Sequence, residues 1–287
     1  FVMPNIRSDE VKNWLRAMID RAGGQISLST ATIEIAGKRN GVSMIHAHEA
    51  DKMYVDAEGR PVHFEAVTNG IALERWGNPE LLAYYQEMGV LDEHGLPTQD
   101  YVNAIDCLDD QKLLELHHKG KQRLHEVLRM RKDQDGNSID VPPEAGFFVW
   151  ARRFASYKRP DMLLRNPVEL ADILETHNKH LLISGKAHPG DVPMQEHLKR
   201  MLLVIEGNPI LKKRVHFLED YNPEIARAMA QGADAAINTP TVLNEWGEKI
   251  SMEACGTSWM KYILNGGLLE STEDGGVADA RLRAEKK

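Results

Sequence analysis

Residues 146–160 read Gly-Phe-Phe-Val-Trp-Ala-Arg-Arg-Phe-Ala-Ser-Tyr-Lys-Arg-Pro. The first six form a short, continuous apolar run, the pattern of a strand buried on both faces. Four cations, Arg152, Arg153, Lys158 and Arg159, follow within eight residues. Open α/β sheets bind ligands beyond the carboxyl ends of their strands, so a buried strand leading into a basic turn marks a candidate site. Arginine forks match phosphate oxygens, and the turn reads as an anion-binding feature. The plainer reading is a solvated basic turn.

Outward toward the C-terminus, three more apolar runs occupy residues 180–184, 215–218 and 233–238. Helical segments over 160–177, 192–206 and 223–231 separate them. Such a β-α-β-α succession predicts an α/β domain with a parallel, doubly wound sheet over residues 145–287. Outward toward the N-terminus the pattern over 1–144 is mostly helical. Ser8-Asp9-Glu10 caps a helix over 11–22 that Gly23-Gly24 closes. Residues 26–36 alternate as a strand would, yet also fit a helix edge. Residues 40–53 read as a helix, Gly59-Arg60-Pro61 as a turn and 62–67 as a short strand. Asn78-Pro79 starts a helix through Met88, and residues 109–131 form a long charged one. Pro142-Pro143 links the two parts.

The chain has 287 residues, 35 basic against 43 acidic, for a net charge of -8. That balance disfavours nucleic acid as the main partner. No apolar run approaches the ~20 residues of a membrane-spanning helix, and no signal peptide precedes the first polar segment. Cys107 and Cys255 are the only cysteines and show no zinc-like spacing. The expectation is a cytoplasmic protein without a metal.

Three further clusters stand at predicted strand ends. Ser184-Gly185-Lys186-Ala187-His188 offers close backbone approach at Gly185 and donors on Lys186 and His188. Glu219-Asp220-Tyr221-Asn222 reads as a cap for the helix at Pro223, or as hydroxyl-binding acids. Gly256-Thr257-Ser258 suits a helix start, where free amides favour phosphate, with Lys261 one turn inside. A lysine in a helix is ordinarily an exposed charge.

Singly these are weak signals, but their order and wording are not. The runs Arg152-Arg153-Phe154-Ala155-Ser156-Tyr157-Lys158-Arg159, Gly185-Lys186-Ala187-His188-Pro189-Gly190-Asp191 and Phe217-Leu218-Glu219-Asp220-Tyr221-Asn222 occur in that order. Asn238-Thr239-Pro240, Glu253-Ala254-Cys255-Gly256-Thr257-Ser258-Trp259-Met260-Lys261 and Leu264-Asn265-Gly266-Gly267 follow them. Together they closely resemble the α-glucan (glycogen, starch, maltodextrin) phosphorylases, above all the shorter bacterial and archaeal branch. Asn40-Gly41-Val42-Ser43 with His46, and Val67-Thr68-Asn69-Gly70 with Trp76, extend the resemblance upstream.

The resemblance implies a glycosyltransferase B-type fold. Residues 1–144 then correspond to the end of the family's N-terminal domain and 145–287 to its cofactor domain, without the closing helices. It implies transfer of a glucosyl unit from an α-1,4-glucan to inorganic phosphate, giving α-glucose 1-phosphate. Pyridoxal 5'-phosphate would be held as a Schiff base on Lys261, its phosphate acting as a proton relay. Arg153 and Lys158 match residues that hold the substrate and cofactor phosphates. Arg152, Tyr221, Gly256, Thr257 and Ser258 match cofactor-side positions. Glu253, Cys255 and Gly256 match glucosyl contacts, with Cys255 where serine is usual and Trp259 where glycine or asparagine is usual. Segment 241–250 is longer and more acidic than its family counterpart. A homodimer would fit the family. Two alternatives remain open: a retaining nucleotide-sugar glycosyltransferase, which shares the Arg-x4-Lys pair but has no need of Lys261, and a non-catalytic glucan-binding relative.

Overall fold

The computed structural model describes residues 6–21, 24, 28–56, 60–241 and 253–285. In chain order the elements begin α1 (Asp9–Arg21), α2 (Leu28–Ile35), β1 (Asn40–Gly41), α3 (Met44–Met53) and β2 (Glu65–Ala66). They continue α4 (Leu73–Trp76), α5 (Pro79–Glu87), α6 (Tyr101–Asp106) and α7 (Asp110–Arg129). The sheet region follows as β3 (Gly146–Ala151), α8 (Pro167–Thr176), β4 (Lys179–Ser184), α9 (Val192–Glu206), α10 (Pro209–Arg214), β5 (Val215–Leu218), α11 (Pro223–Gly232) and β6 (Ala235–Asn238). The last elements are α12 (Ser258–Leu264), β7 (Leu268–Ser271) and α13 (Gly275–Ala284).

Contacts divide the chain into two compact units, residues 1–69 with 278–287, and residues 70–277. In the first, β1 pairs in parallel with β2. Ser43 caps α3, its hydroxyl accepting from the His46 N–H at 3.1 Å. The buried Asp279 carboxylate accepts from the Met44 N–H and from the Thr68 hydroxyl.

The second unit is built on five parallel strands in the order β5-β4-β3-β6-β7. The chain runs outward from β3 to β5, then returns to the other side of β3 for β6 and β7. This is a doubly wound sheet, as the sequence predicts, and its switch point lies between β3 and β6. Alternation along β3 feeds two cores. Phe147 and Val149 face Leu124, Leu128, Met229 and Tyr262 of α7, α11 and α12, whereas Trp150 faces Leu174, Met201, Ile205 and Leu211 of α8–α10.

The expected division at residue 144/145 falls inside this second unit, because α7 packs directly on α11. Two glycines permit the approach. A Cβ on Gly120 would lie 2.0 Å from the Gln231 carbonyl oxygen, and one on Gly232 would lie 2.7 Å from Leu124 Cβ. Below them a half-buried acid ties α7 to the sheet. Asp234 accepts from Lys121 at 3.0 Å and from the Phe147 N–H at 2.6 Å. Burial pushes its carboxyl up, but these donors and His117 outweigh that and hold it well below the usual carboxylate range.

Several local expectations shift. The alternation over 26–36 resolves as helix α2 from Leu28 onward, since two-residue alternation and a helix edge coincide over so short a run. The helix expected over 40–53 starts only at Met44, after the β1 pairing, and the strand expected over 62–67 pairs only at Glu65–Ala66. The helix expected from Pro160 begins at Pro167, where Asn166 accepts from the Glu169 N–H; two 3-10 turns precede it. Gly23, Gly59 and residues 242–250 lie outside the described residues. No helix among the described residues is long and apolar enough to cross a membrane.

Candidate functional site

The basic turn after β3 and the segment before α12 meet at the switch point. Arg152 leaves the end of β3 with 6% exposure, and Lys158 with 8% ends the following 3-10 turn. Both donate to one oxygen of the buried Glu253: Arg152 Nη2 at 2.6 Å and Lys158 Nζ at 2.8 Å from Oε2. The Tyr157 hydroxyl lies 3.4 Å from the other oxygen, Oε1. Among the described residues one carboxylate faces two buried cations, in a place largely closed to water. Arg152 Nε and Nη1 are buried and have no hydrogen-bond partner among the described residues.

Burial lowers the pKa of both cations, and Arg152 lowers that of Lys158 further, while Glu253 opposes the shift in each. Burial, then Glu253, raises that of the Tyr157 phenol.

The surrounding loops are fastened to one another. Arg159, at φ 45°, donates from Nε to the Thr239 carbonyl at 2.9 Å and from Nη2 to that of Pro240 at 3.1 Å. The Thr239 hydroxyl returns a bond to the Lys158 carbonyl. The Asn-Thr-Pro run after β6 is therefore the clamp on the basic turn. Gly185 closes the third side, where a Cβ would lie 2.0 Å from the Arg152 carbonyl oxygen.

Glu253 is held in turn. Its N–H donates to Asp274 Oδ2 at 2.7 Å, and the Gly276 N–H donates to the Cys255 carbonyl at 2.9 Å. Gly256 has φ +69° and folds over Glu253, whose Cγ would be 2.7 Å from a Cβ there. Thr257 then precedes α12 without a side-chain cap, and Ser258 starts it. Cys255 and Trp259 are buried, the Trp259 Nε1 without a hydrogen-bond partner among the described residues.

Lys261 is half-buried on α12, its Nζ 3.3 Å from the centroid of the Trp76 ring. Burial, then the charge of Arg75, lowers its pKa below the ordinary lysine value. Tyr221 is half-buried against the α7/α11 core, and burial raises its pKa while Arg152 opposes that.

Other expected residues sit on the rim. Arg153 is exposed beside Tyr157. Lys186 pairs with Asp220 at 2.9 Å, both exposed. His188 is exposed and its Nδ1 accepts from the Gly190 N–H. Asn222, not Asp220, caps α11 by accepting from the Glu224 and Ile225 N–H groups. Sequence reasoning assigned no part to Trp76, Asp274 or Asn265. The first and last stand within quoted motifs, and Asp274 before two glycines reads as a turn.

The profile of the carbohydrate phosphorylases matches residues 3–284. The chain belongs to the carbohydrate phosphorylase family. It is 30% identical over 280 residues to maltodextrin phosphorylase of Thermococcus litoralis, covering 90% of this chain and 32% of that protein. It is 28% identical over 264 residues to glycogen phosphorylase of Aquifex aeolicus, covering 85% of this chain and 36% of that protein. The muscle form of glycogen phosphorylase from Ovis aries is 27% identical over 291 residues. The chain thus spans about a third of the length of these family members. The parallel doubly wound sheet agrees with the fold this family resemblance implies.

Proposed function

We propose that this chain is the phosphate- and cofactor-binding part of an α-glucan phosphorylase. That enzyme moves a glucosyl unit from an α-1,4-glucan to inorganic phosphate, giving α-glucose 1-phosphate. The observation that carries the reading is the pair of buried cations, Arg152 and Lys158, sharing a single carboxylate oxygen of Glu253. A buried cation without full compensation is costly, and a phosphate dianion supplies the missing charge through charge-assisted hydrogen bonds.

The residues present also fit pyridoxal 5'-phosphate. Lys261 offers an amine whose pKa burial lowers, and a desolvated lysine amine is suited to attack on a carbonyl. Arg152, with two nitrogens that have no partner among the described residues, suits the phosphate end, alongside Tyr221, Gly256, Thr257 and Ser258. When bound, that cofactor supplies through its phosphate a proton relay to the substrate phosphate.

In this reading Lys158 and Arg152 hold anionic oxygens and keep them dehydrated, which strengthens every charge interaction there. Arg153, at the exposed rim, draws the incoming phosphate toward them. Glu253 orients the two buried cations and, with Cys255, Gly256, Lys186 and His188, borders the space for the glucosyl unit. Asp274 keeps the Glu253 backbone in register. The same reading places the protein in the cytoplasm as a homodimer.

The test is attachment. Protein supplied with pyridoxal 5'-phosphate is reduced with borohydride and mapped by peptide mass spectrometry. A pyridoxyl-phosphate adduct on Lys261, lost in Lys261→Ala with the circular dichroism spectrum intact, is the expected result. Attachment at another residue, or none, overturns the reading.

A further inference from the structure

Asn265 closes α12 and is 1% exposed. Its amide is used at both ends. Oδ1 accepts from the Asn78 N–H at 2.6 Å, and Nδ2 donates to the carbonyls of Trp76 at 3.0 Å and Lys261 at 2.7 Å. Its own carbonyl meets His117 Nδ1 at 2.9 Å. One side chain thus joins the end of α4, the start of α5 and the lysine-bearing helix.

The segment Trp76–Asn78 is held by other buried amides as well. Asn78 Nδ2 donates to the Leu116 carbonyl at 2.8 Å, and Gln231 Nε2 donates to that of Gly77 at 2.7 Å. Hydrogen bonds are directional where apolar packing is not, so this bracket fixes the rotation of the short α4 helix. The product of that fixation is the placement of the Trp76 indole face 3.3 Å from Lys261 Nζ. An asparagine placed only to end a helix would need a single backbone contact. Asn265 instead spends both amide protons on the carbonyls of the two residues whose side chains meet.

We propose that Asn265 is a positioning residue for Lys261, locking the Trp76 indole over the lysine amine so that the amine keeps one orientation and is shielded from water. This rests on the reading of Lys261 as the cofactor lysine. Shielding disfavours the ammonium form, and the nearby Arg75 acts in the same direction, while the indole face favours it by cation–π attraction. Burial and then Arg75 lower the pKa of the amine below the ordinary lysine value.

The test titrates Lys261 without any cofactor. Limiting acetic anhydride is applied across a pH series, and mass spectrometry reads acetylation at Lys261 against an exposed lysine such as Lys199. In the unaltered protein the Lys261 midpoint lies below the ordinary lysine value. Asn265→Ala and Asn265→Asp should raise it by about one pH unit, an approximately tenfold loss of reactivity at neutral pH. The aspartate variant can still accept from Asn78 but cannot donate to either carbonyl, and its near-identical shape keeps the comparison open should the alanine variant fail to fold. Trp76→Ala leaves the Asn265 bonds in place, since these use only the Trp76 carbonyl. It should give the same shift, and adding Asn265→Ala should change nothing further. An unchanged midpoint in Trp76→Ala or in a folded Asn265 variant, or additive effects, overturns the proposal. Absence of a pyridoxyl adduct on Lys261 in the unaltered protein overturns the functional reading instead, and leaves the titration to be judged by itself.

Discussion

Arg152 Nη2 and Glu253 Oε2 lie 2.6 Å apart across 101 residues of sequence. The arginine follows β3 and the glutamate follows β6, so the contact joins the loops after the two neighbouring strands from which the chain departs in opposite directions. Lys158 shares the same oxygen. Among the described residues the two cations therefore share one carboxylate oxygen, at the place where an α/β sheet receives its ligand.

Glu253→Ala would remove the carboxylate that both buried cations share, and removing one partner of a buried ion pair costs roughly 3–5 kcal/mol. Urea denaturation should show that loss. Inorganic phosphate should restore part of it, because a ligand bound by the folded state alone stabilises that state. Equal stabilisation of variant and parent by phosphate would sink the anion-site assignment.

Arg153→Ala should separate binding from stability. The side chain is exposed, so the urea midpoint should stay put, while phosphate affinity measured by calorimetry should fall by roughly 1.5–3 kcal/mol for one charge-assisted contact. Lys158→Ala should lower both. If Arg153→Ala left phosphate affinity unchanged, the rim would have no part in capture.

Gly120→Ala tests the α7–α11 contact. The new methyl would meet the Gln231 carbonyl oxygen at 2.0 Å, and the two helices must separate to admit it. A loss of roughly 1–3 kcal/mol is expected for such overpacking, with the far-ultraviolet spectrum retained. No change in stability would mean that the helices pack less closely than described.

Acid should unfold the second unit through a histidine pair at the start of β4 and β5. His180 Nδ1 and His216 Nε2 lie 2.9 Å apart with their rings stacked. Burial first, with His216 next for His180, lowers their pKa values to about 3 and about 4. The unfolded imidazole titrates near 6.5, so between that value and about 4 the unfolded chain binds more protons. Stability is then fully present above pH ~6.5 and falls as the pH drops, by up to about 1.4 kcal/mol per pH unit for each site. Urea midpoints measured from pH 7.5 to 4.5 would show this slope. Replacing both histidines with leucine should flatten it; an unchanged slope in that variant would assign the acid sensitivity elsewhere.

Much of the sheet was legible because its strands are short apolar runs bounded by turn residues. Residues 146–151 and 215–218 carry that signal unaided. β7 was not legible: at an edge, Leu268-Leu269-Glu270-Ser271 reads as no more than the end of a loop. The short helix α10 hid in the run that Asn208 caps and that Lys212-Lys213-Arg214 closes. At the site, the residue types were legible but their partners were not. Lys158 and Arg153 look alike in sequence, yet one is buried on Glu253 and the other is exposed.

The sequence by itself determined the parallel α/β class, the family and the short list of cations, because hydrophobic period, turn chemistry and motif order are local properties of the chain. Tertiary structure alone decided that two of those cations share Glu253, that Trp76 covers Lys261, and that Gly120 admits α11. These contacts join segments from about 95 to 185 residues apart, and which side chain a buried charge or amide finds depends on how the strands are ordered in space, which no local pattern records.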